Sequence, residues 1–255
     1  MRLSVRLRKR WTHMEQMFGI DISKWQGDFP LANAVAQDGV QFAIIKCGGS
    51  DAGVYTDKQF ENNYRKCKEA GIPVGAYWFS KALSEDEARR DAEYCYKLLA
   101  GKQFELPIYI DVENRSQLNV GRDKLTAIID TFLSNLEAKG YYVGIYSSMS
   151  YFQTYMNDSY LKKYAHWIAA WGTARPVGAG LWQFGGETNK LRSNKIQGMT
   201  VDQDYLYVDY PTVIKKNKLN GFGVDNTIRD ALAALVEKGY NLDMIQETLN
   251  LMKGV

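Results

Sequence analysis

Asp111 and Glu113 stand two residues apart at the end of the run Leu106-Pro-Ile-Tyr-Ile-Asp-Val-Glu-Asn114. The residues before them are apolar and β-prone, so the run reads as a buried strand that ends in charge. Positions i and i+2 of a strand point to the same face, about 7 Å apart. Val112 points the other way. Two carboxyls placed like this suit cleavage of a glycosidic bond, one holding a proton while the other stays ionised. At about 7 Å and an effective dielectric of about 20 they repel by about 2.4 kcal/mol. That repulsion lifts one pKa by about 1.7, so a Glu starting near about 4.3 holds its proton near pH 6. An isolated Asp-x-Glu more often caps a strand or binds an Arg. The rest of the chain has to decide between the two.

The elements around the pair repeat one pattern. Strands are expected near Gly19–Ser23, Gln41–Cys47, Pro73–Phe79, Pro107–Glu113, Tyr142–Ser147, Trp167–Trp171, Gly180–Phe184 and Thr200–Gln203. Helices are expected between several of them. Asp57–Ala70 stops at Gly71, Ser84–Ala100 at Gly101, and the amphipathic Arg122–Lys139 at Gly140. Ser84 with Glu87 spells a capping box. Helix, Gly, then apolar strand is the punctuation of a parallel sheet. This many strands in about 200 residues point to a closed α/β barrel of the (β/α)8, TIM-like type. It must be irregular, because the later connections are too short for full helices.

In such a barrel the site lies at the C-terminal ends of the strands. Polar residues fall there one after another: Asp21 and Ser23, Lys46, Ser80, Asp111 and Glu113, Tyr146, Gln183, and Asp202. Tyr77, Trp78, Phe79, Tyr146, Trp171 and Trp182 are candidates for stacking on sugar rings. Alternation lets Tyr77 and Phe79 share a face and turns Trp78 away from it, which favours Tyr77 for the cleft. Lys46 is placed to neutralise part of the acidic cluster.

Composition sets limits on partners. The 255 residues are 45% hydrophobic and 24% charged, ordinary for a globular protein. No apolar run reaches the roughly 18 residues of a membrane span. The net charge of +3 is gathered at one end. Residues 1–17 carry Arg2, Arg6, Arg8, Lys9 and Arg10 against Glu15, and the remainder is near neutral. A near-neutral body is not that of a nucleic-acid binder. The arm reads as a terminal extension or a contact for an anionic polymer. No apolar segment of signal-peptide length follows its charges, so a protein made in the cytoplasm without a Sec signal is expected, to act on its target after release. Cys47, Cys67 and Cys95 are odd in number and lack C-x-x-C spacing. With only His13 and His166 as imidazoles, neither a zinc site nor a disulfide framework is expected, and no cofactor is implied. Three reduced thiols suit a cytoplasmic origin.

The ordered motifs, taken together, resemble the glycoside hydrolase family 25 lysozymes over roughly 18–213. They are Gly19-Ile-Asp-Ile-Ser-Lys-Trp-Gln26, Phe42-Ala-Ile-Ile-Lys46, Asp57 with Phe60 and Asn63, Ala70-Gly-Ile-Pro-Val-Gly-Ala-Tyr-Trp-Phe79, Ile110-Asp-Val-Glu113, Gly144-Ile-Tyr-Ser147, Trp167-Ile-Ala, Leu181-Trp-Gln-Phe184 and Val201-Asp202. The resemblance implies a muramidase of the phage endolysin type acting on bacterial peptidoglycan, between N-acetylmuramic acid and N-acetylglucosamine. It implies Glu113 as the general acid, Asp111 as a carboxylate that stabilises the reacting sugar, and Asp21 and Asp202 as further acids of the cleft. Both inversion and a substrate-assisted retaining route fit the spacing. The family usually carries Asn at the place of Asp204, so the electrostatics of the eighth strand are expected to differ here.

Three segments follow: a basic arm at 1–17, a catalytic barrel at 18–216, and a linker with a two-helix tail at 217–255. Asn217–Gly223 reads as the linker, with helices over Asp225–Lys238 and Leu242–Met252. The tail is expected to dock on the barrel, to dimerise, or to bind the wall, since its end resembles short helical wall-binding repeats. Two competing readings remain at this level. One is a glycan-binding barrel without catalysis, which the intact set Asp21, Asp111, Glu113 and Asp202 disfavours. The other is a metal-dependent hydrolase, which lacks its ligands.

Overall fold

The computed structural model describes residues 16–223, together with 235, 238 and 239. The basic arm up to residue 15, and the two tail helices apart from those isolated positions, lie outside the described residues.

Eight strands close into a barrel: β1 (Met17–Ile22), β2 (Phe42–Gly49), β3 (Val74–Phe79), β4 (Ile108–Asp111), β5 (Val143–Ser148), β6 (Ala165–Ala169), β7 (Leu181–Gly185) and β8 (Asp202–Leu206). From β1 to β7 each neighbour runs parallel to the last. The last strand departs from the parallel rule. β8 is antiparallel to both β7 and β1, and this pairing closes the ring. A two-residue strand, Tyr55–Thr56, adds to the mouth end of β2.

Helices α1 (Leu31–Asp38), α2 (Phe60–Glu69), α3 (Glu85–Leu99) and α4 (Arg122–Ala138) follow the first four strands. The short helix α5 (Met149–Tyr155) follows β5 directly, and α6 (Tyr210–Lys216) follows the barrel. From β6 to β8 the connections are loops and a small hairpin pairing Lys195–Ile196 with Met199–Thr200, so this side of the barrel lacks full helices. α2 begins at Phe60 rather than Asp57. The Asp57 carboxylate accepts from the backbone N–H groups of Gln59 and Lys24 and ends the preceding turn instead. Ser84 caps α3: its hydroxyl accepts from Glu87 N, while the Glu87 carboxylate accepts from Leu83 N.

Strand alternation splits the apolar residues into two layers. The outer layer, between strands and helices, holds Ile20, Ile45, Val74, Trp78, Ile110, Ile128, Phe132 and Ile145. The barrel interior holds Phe42, Ile44, Leu106, Tyr109, Trp167, Leu181 and Leu206, with Tyr210 and Ile214 of α6. The inward residues are apolar toward the N-terminal ends of β1–β7 and polar toward the mouth.

Asn217–Gly223, expected as a linker, packs against the barrel floor. Asn220 is fully buried with φ +51°. Its side chain accepts from Tyr142 N at 2.6 Å and donates to the carbonyls of Phe104 and Leu106 at 3.1 and 2.9 Å. One amide thereby satisfies the chain entering both β4 and β5, the strands that carry the acidic pair and its neighbour. Replacing Asn220 by Ala strands these backbone groups and leaves a Cβ-bearing residue in left-handed conformation without a compensating bond. Asn220→Ala is expected to cost about 3 kcal/mol, read as a lower urea midpoint with an unchanged m-value; a midpoint equal to wild type would contradict it.

Candidate active site

The mouth is built by the same alternation that fills the barrel. The last inward positions of β1, β2, β4 and β7 supply Asp21, Lys46, Asp111 and Gln183, all buried. β8 supplies Asp202 from its first residue. Because β8 runs antiparallel, its start lies at the mouth, directly opposite Asp21 in the register. Two residues deeper, Asp204 is also inward and 0% exposed. Its register partner is Gly19, at which a Cβ would overlap the Phe42 ring. Gly186 leaves room for Asp202 in the same way, since a Cβ there would overlap the Asp202 carboxylate.

β4 ends at Asp111, two residues earlier than its apolar pattern suggests. The extended chain continues through bonds to β5. Val112 N donates to Tyr146 O at 3.0 Å, and Ser147 Oγ donates to Val112 O at 2.5 Å. Glu113 is thus held at the rim, exposed, while Asp111 is 3% exposed beneath it.

Gln183 organises the centre. Its Oε1 accepts from Tyr146 Oη at 3.0 Å and from Trp171 Nε1 at 3.2 Å, which turns its Nε2 to donate to Asp21 Oδ2 at 2.9 Å. Trp167 Nε1 donates to Asp204 Oδ1 at 2.7 Å. Asp204 Oδ2 and Asp111 Oδ1 have no donor among the described residues.

This crowd of acids holds protons above the usual carboxylate range. Burial pushes Asp111 up, the Glu113 charge adds to it, and the Lys46 ammonium opposes. Burial also raises Glu113, again opposed by Lys46. A carboxyl at a concave rim touches water and still lacks much of its bulk solvation, which reconciles that burial effect with Glu113's open surface. Asp202 is pushed up to about 6 by burial, then by Glu113 and Glu187. Asp21 and Asp204 are raised chiefly by burial. Asp111 was expected to stay ionised. Its depth and its donorless oxygen push it the other way, so Asp111 and Glu113 titrate as a pair.

The aromatic candidates divide. Tyr77 and Tyr146 are inward and pack on Trp167, at 5.9 and 4.3 Å between ring centroids. Phe79 lies under Lys46, whose Nζ is 4.5 Å from the ring centroid. Trp171 is 42% exposed at the lip. Trp182 is a correction: it faces the outer layer beside Phe184 and Tyr205, buried, with Nε1 donating to Ala170 O. Its neighbour Gln183 takes the inward position, so alternation removes Trp182 from the cleft. Trp78 is likewise in the outer layer, against Tyr94.

Trp25, Tyr55 and Trp167 were not singled out from the sequence. Trp25 sits on the turn after β1 and is 79% exposed. The Ser23–Gln26 capping box holds that turn. Lys24 Nζ lies between the Trp25 and Tyr55 rings, 5.1 and 5.5 Å from their centroids. Lys46 approaches the Tyr55 ring at 5.8 Å. A bulky aromatic among polar residues just after a strand-end acid was the available signal for Trp25. Among the described residues no group of three His, Cys, Asp or Glu side chains is arranged to hold a metal ion. No helix among them is long and apolar enough to cross a membrane.

Comparison with known proteins places this geometry. The model of glycosyl hydrolases family 25 matches residues 20–191. The autolytic lysozyme of Clostridium acetobutylicum is 29% identical over 160 residues, covering 63% of this chain and 47% of that protein. Lysozyme M1 of Streptomyces globisporus is 27% identical over 202 residues, covering 71% of this chain and 67% of that protein. The modular autolysin LytC of Streptococcus pneumoniae superposes with a TM-score of 0.65 at 27% identity, over 76% of this chain and 47% of that one. The match to the autolytic lysozyme and to LytC thus spans about half of their length. With the family model covering most of the barrel, and its acids gathered at the barrel mouth, this chain belongs to glycosyl hydrolases family 25.

Proposed function

We propose that the protein is a lysozyme of the muramidase type, cleaving the β-1,4 bond between N-acetylmuramic acid and N-acetylglucosamine in bacterial peptidoglycan. The observation that carries this reading is the rim carboxyl Glu113, held above its usual pKa beside buried Asp111 and charge-coupled to Asp202. The substrate class is supported by the relatives, which are named lysozymes and an autolysin, one solved with a synthetic peptidoglycan ligand.

Each role follows from access and charge. Protonating a glycosidic oxygen needs a carboxylic acid that reaches it. Glu113 is open to the mouth and Asp111 is not, so Glu113 donates. An oxocarbenium-like transition state needs negative charge nearby. Asp202, ionised above about pH 6, supplies it from the opposite strand. Asp111, closed off beneath the rim, is coupled to Glu113 through charge. Asp21 is fixed by Gln183 at the back of the cleft. Trp171 and Trp25 form exposed aromatic lips on which sugar faces stack, with Tyr77, Phe79 and Tyr146 lining the floor between them. Lys46 and Lys24 suit the lactyl and peptide carboxylates of the glycan. Folding in a reducing cytoplasm before release to the wall agrees with three free, buried thiols, Cys47, Cys67 and Cys95.

Glu113→Gln keeps the shape of the acid and removes its proton. It is expected to lower kcat about 1,000-fold while binding to insoluble cell walls persists. Digests by the wild type should yield new reducing-end muramic acid by mass spectrometry. Wild-type rates in the variant would remove Glu113 from its role, and reducing-end glucosamine or free peptide would remove the muramidase reading.

The pH dependence has a definite sign. Glu113 and Asp111 are raised, so the proton-donating form exists below their pKa values and is lost as pH climbs through them. Lys46 opposes that rise. Lys46→Met is therefore expected to move the alkaline limb of kcat/KM to higher pH. A limb that stays in place or moves down contradicts the assigned charge coupling.

A further inference from the structure

Asp21 and Asp204 project into the barrel from adjoining inward positions of the β1–β8 pair, and each carboxyl shifts the titration of the other. Two ionised carboxylates have no donor to share. Two donors reach the pair: Trp167 Nε1 goes to Asp204 Oδ1 and Gln183 Nε2 goes to Asp21 Oδ2. Asp204 Oδ2 is buried and receives nothing from any neighbour among the described residues. An ionised carboxylate oxygen without donors, in a fully buried residue, is among the costliest arrangements in a protein interior. A proton between the two carboxyls removes both problems together, since it supplies the missing donor and cancels one charge.

We infer that Asp204 is a positioning residue, and that its carboxyl and that of Asp21 hold one proton between them in the resting protein, Asp21 donating to Asp204.

The surroundings agree. Facing the pair are Asp202 on β8, Gln183 on β7, Trp167 on β6, Tyr146 on β5, Tyr109 on β4 and Tyr77 on β3. The three phenols are raised by burial and keep their protons. Asp202 is the remaining acid, and it sits directly opposite Asp21. With its proton, Asp21 presents no charge to Asp202. The charge of Asp202 in turn raises Asp21 and so favours keeping the proton there. The shared proton thus lets two acids stand face to face in the register while only Asp202 is charged. The part this plays in turnover rests on the glycosidase reading; the shared proton itself does not.

Asp204→Asn tests both halves. Its amide oxygen can still accept from Trp167, and its N–H₂ can donate to Asp21, so the fold and contacts are kept while Asp21 loses its proton. Infrared spectra near neutral pH should show one protonated-carboxyl band fewer than wild type. Asp21→Asn should remove the same band, because either partner is needed. Thermal unfolding gives a second readout. A carboxyl whose folded pKa is raised loses stability as pH rises from its unfolded value toward the folded one. Asp204→Asn should therefore match wild type near pH 4 and gain in Tm relative to it as pH increases. In kcat/KM the newly ionised Asp21 should raise Asp202 and shift the acid limb upward by about one pH unit. Equal carboxyl bands in wild type and both variants, or a Tm difference that does not change with pH, would overturn the shared proton. An unmoved acid limb with the band lost would overturn the positioning role alone. Loss of activity in Glu113→Gln tests the glycosidase reading separately.

Discussion

Everything at the mouth depends on the antiparallel pairing of β8 with β1. A parallel eighth strand would begin at the floor and carry Asp202 and Asp204 away from the site. Reversed, the same five residues put Asp202 at the rim, Asp204 beneath it and Leu206 in the apolar floor against Leu181. The reversal also closes the ring, so the barrel cannot be completed without placing Asp202 across from Asp21. Like charges directly opposite in a strand pair destabilise a sheet. The fold accepts that arrangement where function is concentrated, and moderates it with donors fixed from neighbouring strands.

Those donors form one connected set. Trp171 at the lip and Tyr146 in the wall both donate to Gln183, which thereby has a single orientation for its own donation to Asp21. Trp167 carries two burdens. Its ring packs against Tyr77, Tyr109 and Tyr146, and its indole N–H reaches Asp204. The interior aromatics therefore act less as filler than as a rigid frame for polar atoms. On the other side of the mouth Lys46 acts through charge and through ring faces, since it opposes the rise of Asp111 and Glu113 while lying over Phe79.

Much of this was legible in the sequence because period-two alternation is a strong signal. The eight strands, the inward placement of Asp21, Lys46, Tyr77, Asp111, Tyr146 and Gln183, and the short late connections all follow from it. Misplacement came where two signals competed. Trp182 drew attention as an aromatic, although Gln183 beside it already held the inward position. Asn217–Gly223 had the composition of a linker, and only tertiary contacts reveal that Asn220 closes the floor. The direction of β8 is absent from its local sequence, since five residues read alike both ways. The direction of the Asp111 shift is not legible in the sequence for a related reason: charge repulsion can be estimated from spacing, whereas burial and missing donors depend on the assembled walls.

The site also sets a bias on the stability of the whole barrel. Asp21, Asp111, Glu113, Asp202 and Asp204 all bind their protons more tightly when folded than an unfolded chain would. Each therefore withdraws stability as pH rises from about 4 through its folded pKa. The stability they leave must come chiefly from the two apolar layers. These five groups favour mildly acidic conditions, where Glu113, the proposed acid, also holds its proton. On the proposed reading, activity and folding stability decline together on the alkaline side, because the same desolvated carboxyls govern both.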